Sequence, residues 1–108
     1  MIVGRARGAL DEYAAACAFC TFDDVLVVGA MAVDFPGRID HLVSFHAELF
    51  CLWAEKRTAA GYPPAANYWG AIYRGRRLGE NVKVPALLRY VECVGGSSGF
   101  MAVQTALD

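Results

Sequence analysis

The sequence predicts a small α/β fold: three layers around a mostly parallel sheet, within one domain spanning residues 1–108. Three observations support this. Val25-Leu26-Val27-Val28 is an aliphatic run without polar alternation, as in a strand covered on both faces. Ala47 to Ala60 is helical in composition and is stopped by Gly61 and Pro63-Pro64. Gly95-Gly96-Ser97-Ser98-Gly99 precedes a C-terminal apolar run, as a loop entering a helix does.

The elements follow in chain order. Met1-Ile2-Val3 is a short first strand, and the loop Gly4-Arg5-Ala6-Arg7-Gly8 follows it. Ala9 to about Phe19 reads as a helix with Leu10, Tyr13, Ala14 and Cys17 on one face. Thr21-Phe22-Asp23-Asp24 breaks it. Val25–Val28 is then read as a strand closed by Gly29, although the Thr21/Asp24 capping spacing also allows a helix from Asp23 to Asp34.

After Pro36-Gly37, Ile39 to Phe45 reads as a third strand ending near His46. The competing reading is one helix from Pro36 to Ala60, because Ile39, Leu42, Val43 and His46 fit that period too. In the Ala47–Ala60 helix, Leu49, Phe50, Trp53 and Ala54 form the apolar side, with Glu48, Glu55, Lys56 and Arg57 largely opposite. Tyr68 to Tyr73 is a further strand, and Arg74-Gly75-Arg76-Arg77 is a basic turn. Leu87 to Val94 fits either helix or strand, and the last helix runs from Ser98 to Leu107.

Composition narrows the function. The chain is 56% hydrophobic and 19% charged with a formal net charge of −1. Disorder is excluded, and binding to nucleic acid through a bulk positive field is disfavoured. No apolar run is long enough to span a membrane and no signal-peptide layout opens the chain, so a cytoplasmic location is expected. Cys17-Ala18-Phe19-Cys20 has no matching second pair, and it reads as a buried, reduced pair of thiols. Asp23-Asp24 lies at the start of a strand and is not expected to hold a metal. No metal or cofactor is expected.

The candidate site comes from placement. With the strands as drawn, Gly4, Gly29 and His46 each follow a strand, and Ser97-Ser98 opens a helix. In open α/β sheets, ligands bind beyond the carboxyl ends of the strands, at helix N-termini. The amides and dipole of a helix start attract an anion, most simply a phosphate. The bland reading of the same stretch is a flexible Gly/Ser linker. Arg5 and Arg7 are within reach of a phosphate or are solvated surface cations. Tyr68, Trp69 and Tyr73 beside Arg74, Arg76 and Arg77 suggest base stacking, or a rim of core aromatics before a solvated turn. The second reading fits the net charge better.

Across nearly its whole length the layout resembles the Rossmann-like phage and bacterial proteins related to the archaeal pterin pyrophosphokinase-like domain and to bacterial CMP-sialic-acid-dependent sialyltransferases. The matching stretches are Met1-Ile2-Val3-Gly4, Phe22 to Gly29, Ile39 to His46 and Gly96 to Val103. The resemblance implies transfer from a nucleotide or nucleotide-sugar donor to a hydroxyl. Gly4, Arg5, Gly29, Ser97, Ser98 and Gly99 would hold the ligand, and His46 would be the catalytic base.

The chain departs from that pattern in three ways. Gly29 stands where such families usually carry Asn, and Gly4–Gly8 replaces a Gly-x-Gly-Pro-Ser-like loop. Such families also continue into another core strand after the last helix, whereas this sequence stops at Asp108. A sheet completed by a second subunit, hence a homo-oligomer, is one expectation. A non-catalytic interaction protein with a degenerate site is the alternative.

Overall fold

The aliphatic run at residues 25–28 enters the interior of a sheet, one strand in from its edge, and both of its faces are covered. Leu26 and Val27 are buried on opposite sides, Leu26 with Val43, Ala71 and Met101, Val27 with Leu42, Phe35 and Phe50. The computed structural model describes residues 1–93 and 97–107. Its strands are β1 (Ile2–Val3), β2 (Leu26–Val28), β3 (His41–Val43), β4 (Asn67–Tyr73), β5 (Arg76–Arg77) and β6 (Leu88–Glu92). Its helices are α1 (Ala9–Cys17), α2 (Met31–Asp34), α3 (Phe50–Ala59) and α4 (Ser98–Leu107).

Parallel pairing runs β1–β2–β3–β4–β6, and β5 folds back antiparallel onto β4. The class is therefore α/β with a mixed, mostly parallel sheet of six strands. Because successive parallel strands sit side by side in one direction, same-handed crossovers bring the connecting helices to one face. Leu10 and Tyr13 of α1, Met31 and Ala32 of α2, and Phe50 and Trp53 of α3 share that core. Met101 and Ala102 of α4 close the other face. Full burial of Phe35 and Phe50 contributes about 1.5–3 kcal/mol each.

Where the readings were open, the structure decides. Residues 25–28 enter a strand, and the Asp23–Asp34 helix does not form; a short α2 follows the Gly29 turn instead. The single Pro36–Ala60 helix is likewise replaced by β3, a 3₁₀ turn at Ala47–Leu49 and α3. Leu87–Val94 resolves as β6 over its described residues. The basic turn is a β-hairpin: Arg74 and Gly75 have φ of 51° and 76°. Two positive φ angles in a two-residue loop define the turn whose twist suits a hairpin.

Two expectations are corrected. Arg57 does not lie on the solvated side of α3 but is only 2% exposed. Its guanidinium donates to the carbonyls of Ala32 at 3.0 Å, Gly37 at 2.6 Å, Pro63 at 2.5 Å and Phe35. The helical period cannot register this, because the acceptors belong to loops far along the chain. Burial pushes the guanidinium below its ordinary pKa. Cys17 and Cys20 are exposed, not buried. They sit at and beyond the end of α1, past the turn that carries Leu10 and Tyr13 onto the sheet.

Replacing Arg57 leaves up to four carbonyls without their donor. Arg57→Met is expected to lower stability by about 3 kcal/mol or more in urea titrations. Arg57→Lys should rescue little, since an ammonium lacks the planar fork. Alkali provides a second test. Burial raises the Cys93 thiol and the Tyr68 hydroxyl above their ordinary values of 9.0 and 10.0. The unfolded chain releases these protons first, so stability is full below about pH 9 and falls as pH rises through the folded values. Cys93→Ala should move the onset of that fall towards the tyrosine range.

Candidate functional site

Strand order and direction bring the exits of β1, β2 and β3 side by side, at Gly4, Gly29 and Ser44-Phe45-His46. Gly29 takes φ of 60°, a conformation that suits glycine, and its N–H donates to the Val43 carbonyl at 2.9 Å. α4 runs back against the strands. Its first residue meets the β3 exit, while Thr105 and Ala106 reach the amino edge of the sheet.

The junction is made by serine hydroxyls. Ser98 Oγ accepts the Phe45 N–H at 3.0 Å and lies 3.4 Å from Ser44 Oγ. Ser44, 1% exposed, in turn accepts the His46 N–H at 2.9 Å. Ser98 thus clamps the start of α4 to the end of β3. The Ser97 carbonyl accepts the Met101 N–H at 3.0 Å, and Gly99 lies exposed in the first turn. The expected Gly95-Gly96 turn lies outside the described residues.

The His46 imidazole stands 67% exposed, with Nδ1 3.1 Å from Glu48 Oε1. Donation of Nδ1–H to that carboxylate leaves Nε2 as the basic nitrogen. The backbones of Ser98, Ser44 and His46 therefore meet at one rim, with the imidazole on its outer side. Open space surrounds Gly4, and Arg5 is exposed.

The arginines and aromatics around the hairpin do not form one surface. Arg74 stacks on Tyr73, Arg77 on Tyr90 and Arg89 on Trp69, with guanidinium carbons 5.3–5.6 Å from the ring centres. Trp69 belongs to the α4 face, whereas Tyr90 neighbours Val91 of that face in β6 and so turns to the other. Rings already covered by arginine are poor platforms for bases. Among the described residues, no three His, Cys, Asp or Glu side chains are grouped to hold a metal ion. No helix there is long and apolar enough to cross a membrane.

A second cluster lies at the amino edge, where reading the sequence assigned no site and only discounted a metal at Asp23-Asp24. Trp69 Nε1 donates to His41 Nδ1 at 3.1 Å, and His41 Nε2 faces Asp24 Oδ2 at 3.9 Å. The only sequence signal was that His41 and Trp69 each sit inside a strand pattern; their neighbourhood depends on register.

The fold defines an α/β protein with a mixed, mostly parallel sheet. No protein-family model matches the sequence, and neither a curated protein nor a solved structure matches it.

Ser98→Ala removes the acceptor for the Phe45 amide and is expected to cost about 1 kcal/mol. Hydrogen exchange at Phe45 should quicken in that variant, while amides of β1 keep their protection.

Proposed function

We propose that the chain is a Rossmann-like domain that binds a nucleotide or nucleotide-sugar, with its phosphate at the Ser97-Ser98-Gly99 start of α4. The observation that carries this reading is the clamp between Ser98 and the β3 exit. It holds the first amides of a ten-residue helix at the carboxyl edge of a parallel sheet. An anion there meets oriented N–H groups and the positive end of the helix dipole. Gly4 leaves room along the same edge, and Arg5 supplies a cation for a second phosphate oxygen.

The transferase reading assigns a proton step to His46. Its Nε2 accepts the proton of an acceptor hydroxyl as that oxygen attacks the activated carbon of the donor. Glu48 at Nδ1 stabilises the imidazolium that forms. The bond to the phosphate breaks, and the nucleotide leaves with the electron pair, its charge met by the α4 amides.

One observation favours the alternative, a non-catalytic interaction protein. β6 pairs only with β4 among the described residues, and Leu87 just before it is 69% exposed. An unpaired strand edge beside apolar side chains invites a second chain.

Calorimetric titration with CMP, UDP, CMP-sugars and pyrophosphate separates the two. Saturable binding that weakens several-fold in Arg5→Ala supports the nucleotide site; His46→Gln should retain binding but lose transfer. Absence of binding by every ligand, together with an oligomer that persists on dilution, favours the interaction protein.

A further inference from the structure

A cavity of about 700 Å³ opens at the amino edge, between the sheet and the last turn of α4. That volume suits one small organic ligand. Ile2, Phe22, Leu26 and Trp69 supply apolar wall, and Asp24 and His41 meet at its polar end.

The polar end has a defined donor and a defined acceptor. A tryptophan N–H only donates, so the bond from Trp69 Nε1 makes His41 Nδ1 the lone-pair nitrogen. The imidazole proton therefore sits on Nε2, facing the Asp24 carboxylate. At 3.9 Å the two atoms are too far apart to bond each other, and neither has another hydrogen-bond partner among the described residues. A donor and an acceptor facing each other at this distance fit an atom that accepts and donates at once. A hydroxyl oxygen does both.

Charge and lining narrow the class. Asp23, Asp24 and Asp40 are offset only in part, by the Met1 amino group, on the Asp24 carbonyl at 2.8 Å, and by Arg38. Arg38 donates to the Phe22 and Asp23 carbonyls and pairs with Asp40 at 3.0 Å. Two cations against three carboxylates leave this edge negative, so an anionic ligand is disfavoured. Laid against Phe22, Leu26 and Trp69, a sugar would turn hydroxyls onto apolar wall, at a cost in unpaired polar groups. A phenol brings one hydroxyl on a flat apolar ring, and it is a strong donor to a carboxylate.

We infer that this cavity binds a neutral phenolic ring, its hydroxyl bridging His41 Nε2 and Asp24 and its ring lying among Phe22, Leu26 and Trp69. The site stands at the opposite edge from the nucleotide rim and does not rest on that reading.

The test compares p-cresol with 4-methylanisole, which has the same ring but no hydroxyl hydrogen. Binding is followed by the amide, indole and imidazole resonances. Saturable p-cresol binding that moves the Trp69 indole N–H and the His41 ring is expected, with 4-methylanisole roughly tenfold weaker or worse. Asp24→Ala, at an exposed position, should bring p-cresol down to the level of the ether. Equal affinity for the two compounds in the unaltered chain overturns the inference without recourse to any variant. So does absence of binding, unchanged p-cresol affinity in Asp24→Ala, or tighter binding of benzylamine or methyl glucoside than of p-cresol.

Discussion

The buried guanidinium of Arg57 is the constraint from which much of the remaining geometry follows. Among the described residues its charge pairs with no carboxylate; main-chain carbonyls take the place of water. Two acceptors belong to α2 and its exit, one to Gly37 before β3, and one to Pro63 before β4. One side chain therefore sets where two neighbouring strands enter the sheet. A buried cation without such acceptors would be too costly to keep. With them, it specifies a single arrangement of loops that have little apolar surface of their own.

The entry of β3 and β4 is then locked by short-range bonds. Asn67 Nδ2 donates to the Asp40 carbonyl at 2.9 Å, and the Ala66 N–H donates to the Ile39 carbonyl at 3.0 Å. The resulting register pairs His41 with Asn67 and Val43 with Trp69. Trp69 lies diagonally across from His41 on the same face, within reach of its Nδ1. At the other end of β3, the Ser44 N–H donates to the Trp69 carbonyl at 3.2 Å, which steadies the rim that Ser98 clamps.

α4 links the two edges. Its first turn meets the serine junction and its last turn borders the amino-edge cavity. The helix is held over the sheet by Met101 and Ala102, both fully buried, while Val103 and Leu107 face outwards. Gln104 adds a second polar tie, from Nε2 to the Glu92 carbonyl at 2.6 Å.

Much of the architecture was legible in local pattern. The unbroken aliphatic run at 25–28, the glycine and proline stops after Ala60, and the serine start at 98 all act within a few residues, and strand and helix formation respond at that range. That Gly4, Gly29 and His46 follow strands at the edge where the Ser98 helix begins was legible for the same reason, since each follows from where an element begins or ends; the part of the Ser44 hydroxyl in that junction was not. The burial of Arg57 was not, nor was the exposure of Cys17 and Cys20, nor the approach of Asp24, His41 and Trp69. Those depend on which distant segment packs opposite, and a helical or strand period carries no information about its partner. By itself the sequence determined the kind and order of most elements, because short-range sterics and periodicity decide them, and it left residues 87–94 open between helix and strand. Only the tertiary structure decided which polar groups became neighbours, because strand register and loop carbonyls converge only once the chain has folded.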